Sequence, residues 1–156
     1  MGGVHTARFS PDGRLLAVAN NSGAQVLSTA DWTPVTRLFS GHAGRLFSVS
    51  ISRDNRTLVT SSFDGIVRLW DIRSEQAIGA PLPGLPGHAV NGMLTPDGNT
   101  VIAGYDTGQA YRWDIRPASL VRQACLVAGR TLTRAEWEEF LPRRDYRPAC
   151  TTNALP

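Results

Sequence analysis

Histidine and aspartate are the side chains in this sequence whose chemistry could support acid–base catalysis or metal binding. The chain has 156 residues and three histidines, of which His42 and His88 each follow a glycine. Histidine titrates near neutral pH and is a frequent metal ligand, so each of these two could act as a base or hold zinc. No third ligand lies near either histidine at the spacing of a metal site. The sequence therefore predicts no metal site and a structural role for both histidines.

The composition excludes several other kinds of active site. All 16 basic residues are arginine, which rules out the lysine of phosphate loops, of kinases and of Schiff-base enzymes. The nucleophile motif Gly-x-Ser-x-Gly and the zinc motif His-Glu-x-x-His do not occur in the sequence. We therefore expect no catalytic residue and no cofactor.

Charge and hydropathy restrict the partners and the location. The net charge is +3, and the arginines are interspersed with acidic residues, so we expect no nucleic-acid partner. The longest apolar run, residues 15–19, is far shorter than the ~20 residues of a membrane span. The sequence thus predicts a cytoplasmic protein with no membrane partner.

The two cysteines, Cys125 and Cys150, lie 25 residues apart and form no Cys-x-x-Cys motif. This spacing does not match a zinc knuckle or a redox motif. We expect buried free thiols, with a disulfide that closes the end of the chain as the alternative.

A repeat of 42 to 43 residues organises the polar residues. The turn sequence at 10–13 recurs at 52–55 and at 95–98, and the pair Trp70-Asp71 recurs at 113–114. His42 and His88 occupy the same place in two repeats, 46 residues apart because of a short insertion. Equivalent places in a repeat imply equivalent structural roles, and the turn aspartates of the three repeats are Asp12, Asp54 and Asp97.

Each repeat is composed of short strands and tight turns. In the middle repeat the apolar residues Phe47, Val49 and Ile51 alternate with serines, a period of two that places them on one sheet face. Turns at Asp-Asn and Asp-Gly separate the predicted strands at 57–61 and 66–70, and a weaker fourth strand is predicted around 77–82.

The Gly-His pairs, the Ser-Pro-Asp-Gly turn and the run Asp-Gly-Ile-Val-Arg-Leu-Trp-Asp at 64–71 resemble the WD-repeat family of β-propellers. The resemblance covers residues 4–116. It implies an all-β fold, a partial propeller of about three four-stranded antiparallel blades at about 1–40, 41–86 and 87–116. Because propellers close from ~4 to 8 blades, we expect the chain to be the carboxy-terminal part of a longer propeller.

The resemblance also implies a hydrogen-bonded set of a histidine, a strand hydroxyl, a turn aspartate and a tryptophan within a blade. Two repeats carry candidates for this structural set. The third repeat departs from the pattern, with Ala103 and Tyr105 at the hydroxyl positions and its aspartate, Asp106, shifted by one, and the first repeat has Ser28-Thr29 in place of Trp-Asp. The matching residues are His42, Thr60 or Ser62, Asp64 and Trp70 in the middle repeat, and His88 and Trp113 in the third.

Residues 117–150 are predicted to form a helical tail of two short helices, and residues 151–156 a disordered end. Apolar residues recur at helical spacing up to Gly129, and Thr133-Arg134-Ala135-Glu136 reads as a capping box at the start of the second helix. This tail resembles one that follows WD repeats in large actinobacterial proteins, which implies a bacterial source.

The function that these observations favour is a non-enzymatic protein–protein interaction scaffold or sensor module, the end of a larger WD-repeat signalling protein. The expected partner is a protein or peptide, or the missing blades of a longer propeller. Three alternatives stay open: a hydrolase-type propeller enzyme, an inactive truncated gene product, and a homodimer in which two half-rings associate.

Overall fold

The computed structural model describes residues 3–148 and Cys150, and the predicted disordered end at 151–156 lies outside the described residues. The chain divides into two compact units, the first ending at Trp113 and the second beginning at Asp114. The first unit contains strands and the second contains helices, so each is described separately.

The first unit is built from three antiparallel sheets, which we call the first, middle and third sheets in chain order. The first sheet has the order β1-β2-β3, the middle sheet β4-β5-β6-β7 with β8 also on β6, and the third sheet β11-β10-β9. The strands are β1 (Thr6–Phe9), β2 (Leu15–Asn20), β3 (Gly23–Ser28), β4 (Leu46–Ile51), β5 (Thr57–Ser62), β6 (Ile66–Asp71), β7 (Gln76–Ala77), β8 (Leu82–Pro83), β9 (Ala89–Leu94), β10 (Thr100–Tyr105) and β11 (Ala110–Asp114).

The expected arrangement of antiparallel sheets followed by two helices is confirmed, but the expectation of four strands in every sheet is wrong. In the middle sheet the fourth strand is split into β7 and β8, because Pro81 between them has no N–H for a continuous ladder. In the first sheet it is reduced to two isolated bridges, Ala24 with Phe39 and Leu27 with Pro34. Among the described residues the third sheet has three strands, since the chain enters a helix at Pro117.

The three sheets stack face to face within the first unit. Val49 on β4 is buried in a core that includes Ala17 and Ala19 of β2, whose small side chains allow the two sheets to approach closely. The third sheet meets the middle sheet through β9, where a Cβ at Gly92 would lie 3.3 Å from the Cβ of Ser61. Burial of the alternate apolar residues against a neighbouring sheet is therefore what holds the stack together.

The second unit contains helices α1 (Pro117–Ala128) and α2 (Arg134–Phe140). The predicted capping box is confirmed: the Thr133 hydroxyl accepts the Glu136 N–H, and the Glu136 carboxylate accepts the Thr133 N–H. Gly129 ends α1 in the left-handed conformation, as its position predicted. The expectation of free thiols is wrong, because Cys125 and Cys150 form a disulfide.

Candidate functional site

Four polar side chains of the middle sheet form a continuous hydrogen-bonded chain, the His42–Trp70 chain. The Trp70 indole N–H donates to Thr60 Oγ1 at 2.9 Å, and Thr60 Oγ1 lies 2.8 Å from His42 Nε2. His42 Nδ1 lies 3.0 Å from Asp64 Oδ2. The antiparallel register of β5 and β6 pairs Trp70 with Leu58 and so places Thr60 diagonally across from Trp70, and the turn between these strands supplies Asp64.

The partners of the His42–Trp70 chain determine where its protons lie. Asp64 accepts the His42 Nδ1–H and the backbone N–H of Ala43 at 2.9 Å, so the neutral ring has a lone pair on Nε2. The Thr60 hydroxyl donates to this lone pair and accepts from Trp70. Every polar atom of the histidine is thereby engaged within the protein, and its side chain is 6% exposed.

Burial and hydrogen bonding shift the pKa values of this pair. Burial lowers the pKa of His42 below its ordinary value, and the hydrogen bond with Asp64 only partly offsets this. Burial also raises the pKa of the Asp64 carboxyl, but the N–H groups of Ile66 and Ala43 together with His42 outweigh it, so that the pKa lies below its ordinary value. A neutral imidazole beside an ionised carboxylate is thus the stable state at neutral pH.

The other residues predicted for this structural set lie elsewhere. Ser62 is fully buried, and its hydroxyl accepts the Asp64 N–H at 3.2 Å, so it supports the turn and not the tryptophan. His88 Nδ1 contacts the Phe63 carbonyl, and the Trp113 indole N–H donates to the Pro83 carbonyl at 3.2 Å. The third repeat therefore lacks a histidine–tryptophan connection, because no hydroxyl stands between the two rings.

The three turn aspartates share one geometry. In each turn the carboxylate accepts from the hydroxyl two residues before it and from the backbone N–H two residues after it, for instance Ser52 at 2.6 Å and Arg56 at 3.1 Å around Asp54. The hydroxyl bond is the main cause that lowers the pKa of all three carboxyls. Asp12 also accepts from the Asn55 side chain at 2.7 Å, which links the first two repeats.

A groove lies where these turns converge, and sequence reasoning missed it. Its volume is about 390 Å³, and it is lined by the turns of all three repeats together with the ends of β4 and β9. Within the described chain the exposed Arg53 guanidinium in this groove has no hydrogen-bond or ion-pair partner. The lining residues are Pro11, Ile51, Ser52, Arg53, Leu94, Thr95 and Pro96.

Comparison with known proteins identifies the repeat. The family profile described as "WD domain, G-beta repeat" matches residues 32–71, which include the whole His42–Trp70 chain. This is a WD-repeat protein. Its three sheets are accordingly blades of a partial propeller, and the match is to the middle blade, in which the hydrogen-bonded chain is complete.

Curated relatives extend this match to further blades. Yeast (Saccharomyces cerevisiae) target of rapamycin complex subunit LST8 is 40% identical over 73 residues, 46% of this chain and 24% of the relative. The guanine nucleotide-binding protein subunit beta of Oryza sativa subsp. japonica is 31% identical over 131 residues, 74% of this chain and 34% of the relative. The periodic tryptophan protein 2 homolog of Schizosaccharomyces pombe is 27% identical over 121 residues, 77% of this chain and 14% of the relative. The WD-repeat chain thus matches between 14% and 34% of the length of these relatives.

The described residues of this WD-repeat chain contain neither a cluster of metal ligands nor a membrane-spanning helix. Across residues 3–148 and Cys150, no group of three His, Cys, Asp or Glu side chains is placed to bind a metal ion. Neither helix of the described chain has the length and apolarity to cross a membrane.

The signal that could have located the groove is the repeat itself. Equivalent turns in neighbouring blades must lie side by side once the blades stack, so the residues at 11, 53 and 96 were bound to converge. The sequence shows that Arg53 stands where the other two turns have proline. It does not show that the intervening space is open, because that depends on how the side chains that line the groove, such as Ile51 and Leu94, pack.

Proposed function

We propose that this chain is a non-enzymatic protein-interaction module that holds a peptide segment of a protein partner in the groove between its blades. The observation that carries the proposal is the groove itself, about 390 Å³ in volume and shared by three blades. Ligand sites are commonly concave spaces of about 300–1,000 Å³ with an apolar lining and a few polar groups. Pro11, Leu94 and Pro96 supply apolar surface, and Arg53 supplies a cation.

The chemistry of the lining favours one kind of peptide. A free guanidinium pairs well with a carboxylate, and its fork of N–H donors suits two oxygens at once. We infer that the bound segment has an apolar side chain beside an Asp, a Glu or a carboxyl terminus. The carboxylates of the turns themselves do not compete for Arg53, because each is already bonded within its own turn.

The polar residues of the blades support a binding role over a catalytic one. His42 and Asp64 satisfy each other and their neighbours inside the middle blade, so neither is directed at a space where a substrate could sit. We propose that His42, Thr60, Asp64 and Trp70 stabilise the blade, and that Ser62 stabilises the turn beside them. We also propose that the three blades span residues 1–40, 41–86 and 87–116 and that the helical tail spans residues 117–150.

The relatives support the wider setting that we propose. One is by name a subunit of the target of rapamycin complex, and another a subunit of a guanine nucleotide-binding protein. We infer that this chain likewise works within a protein assembly, as part of a larger WD-repeat signalling protein. Its cytoplasmic location and its bacterial source stay predictions, and the disulfide bears on the first, because cytoplasmic thiols are ordinarily kept reduced.

Selection of peptides from a random displayed library on the immobilised full chain tests the binding role. A selected peptide should lose at least tenfold in affinity, by titration calorimetry, when Arg53→Glu reverses the charge in the groove. Arg73→Glu is the matched control, an exposed arginine outside the groove lining, and should bind as the wild type does. Equal affinity of the wild type and Arg53→Glu would reject the groove as the site.

The enzymatic alternative has its own test. A screen with ester and peptide substrates should give no turnover by the purified chain. Turnover that disappears in Asp64→Ala, with an unchanged circular dichroism spectrum, would overturn the proposed function.

A further inference from the structure

His88 does not repeat the role of His42, because the loop before its strand is shorter. Three residues separate His42 from β4, whereas His88 directly precedes β9. Measured from the strands, His88 is therefore the equivalent of Arg45, which directly precedes β4. Both side chains contact the same aromatic residue: the Arg45 Cζ atom lies 4.0 Å, and the centre of the His88 ring 4.4 Å, from the centre of the Phe63 ring.

The Arg45 guanidinium is held in place by aromatic contacts and not by polar ones. Phe63 stacks on Phe47 with the ring centres 3.9 Å apart, and the guanidinium lies within cation–π distance of both rings. Arg45 is exposed, and among residues 3–148 and Cys150 its guanidinium has no hydrogen-bond or ion-pair partner. Its fork of N–H donors is thus oriented but unused, which reduces the entropy that is lost when a ligand binds.

The His88 ring is oriented by its bonds to the chain, which leave Nε2 without a hydrogen bond to any described residue. The Nδ1–H donates to the Phe63 carbonyl, and the backbone N–H of His88 donates to Asp106 Oδ1 at 2.9 Å. In the neutral ring Nε2 then carries a lone pair, and its distance of 3.9 Å from Asp106 Oδ2 is too long for a hydrogen bond. Because the side chain is 44% exposed, this nitrogen can accept an N–H from a ligand.

We propose that Arg45 and His88 form a second binding site, in which the guanidinium binds an Asp or Glu side chain of a protein partner and His88 Nε2 accepts a neighbouring backbone N–H. The second site rests on the proposed role in protein interaction, but it is independent of the groove. A carboxylate fits better than a phosphate, because the Asp106 carboxylate beside His88 repels a dianion more strongly than a monoanion.

The second site and the groove lie at opposite ends of one strand. Arg45 precedes β4 and Arg53 follows it, and the six residues of β4 span about 20 Å. One side chain cannot reach both arginines, so a partner would occupy the two sites with different segments. The middle sheet has a neighbouring sheet on each side within this chain, so a further blade would pack on the first or the third sheet and not on this site.

Selection of random displayed peptides on the immobilised full chain carrying Arg53→Glu, which reverses the charge in the groove, tests the second site separately. The selected peptides should contain Asp or Glu, and their affinity, by titration calorimetry, should fall at least tenfold when Arg45→Glu is added. Arg73→Glu, an exposed arginine at neither site, is the matched control in the same background and should leave the affinity unchanged.

Two further variants distinguish recognition from charge alone, each with an unchanged circular dichroism spectrum. Arg45→Lys keeps the charge but loses the planar fork, and should weaken binding about three- to tenfold. His88→Ala removes the acceptor for the peptide N–H, and should weaken binding about two- to tenfold.

Three results would overturn the proposal. No peptide selected on the Arg53→Glu chain, or peptides that bind equally after Arg45→Glu is added, would reject the second site and leave the groove to its own test on the wild type. Equal affinity of the Arg45→Lys and His88→Ala variants would reject recognition by these two groups. Tighter binding of a peptide with phosphoserine in place of the selected Asp or Glu would reject the carboxylate as the ligand.

Discussion

At the scale of single residues, the Thr60 hydroxyl is the central group of the middle blade. It accepts the Trp70 N–H and donates to His42 Nε2, and Thr60 is only 1% exposed, so water cannot replace the hydroxyl. Thr60→Val keeps the shape but leaves the indole N–H without an acceptor, a change that costs about 1–3 kcal/mol. We therefore expect a lower melting temperature by differential scanning calorimetry.

The matched control for Thr60→Val is Thr107→Val, which removes the hydroxyl of an exposed threonine in the third repeat. It should leave the melting temperature within a degree or so of the wild type, because exposed hydroxyls are hydrated in both states. Equal losses in the two variants would mean that the His42–Trp70 chain does not stabilise the blade.

The buried histidine predicts how stability depends on pH. Because burial lowers the pKa of His42 below 6.5, the unfolded chain takes up a proton before the folded chain as the pH falls. The free energy of unfolding should be fully retained above pH 6.5 and should decline as the pH falls from there through the folded pKa. Asp64, whose pKa is also lowered, adds a second loss as the pH falls below 3.8.

Thermal unfolding followed from about pH 8 to about pH 5 checks the histidine contribution. His42→Gln removes the titrating ring, so its melting temperature should start lower than that of the wild type and should decline less over this interval. Parallel curves for the two proteins would contradict a lowered pKa for His42.

At the scale of elements, the sequence predicts the strands well where each residue type agrees with its place in the repeat. The strands predicted at 57–61 and 66–70 correspond to β5 and β6, which extend one residue further. The first sheet departs from the repeat because a two-residue turn joins Asn20 to Gly23 and shifts β3 by one position. By the repeat offset of 42 residues, Ser28 and not Leu27 is the equivalent of Trp70. Because of the shift, however, it is Leu27 that pairs with Leu16.

The unit that contains the tail helices is closed by a disulfide, which the sequence analysis gave only as an alternative to free thiols. Cys125 and Cys150 are 25 positions apart in the sequence, and for a loop of this length chain-entropy arguments give about 3.5 kcal/mol of stabilisation from a disulfide. In Cys125→Ser/Cys150→Ser, the amides of α2 should exchange with solvent faster than in the wild type, as measured by hydrogen exchange and mass spectrometry. Reduction of the wild type by a dithiol should give the same change.

Strand β5 provides the internal reference for this exchange experiment, because the disulfide lies outside the unit that contains it. Unchanged exchange in α2 after loss of the disulfide would show that the capping box and the Arg130–Glu136 ion pair suffice for the helix. A chain that resides in the cytoplasm, as the sequence predicts, would have to keep its tail folded in that reduced state.

At the scale of the whole molecule, the sequence does not predict whether the space between packed elements is filled or open. It predicts which turns converge and which rows are apolar, since both follow from the repeat. It does not predict the open groove at Arg53, because this depends on how closely the sheets stack. The same limit explains the disulfide, since spacing alone does not show that the two cysteines meet.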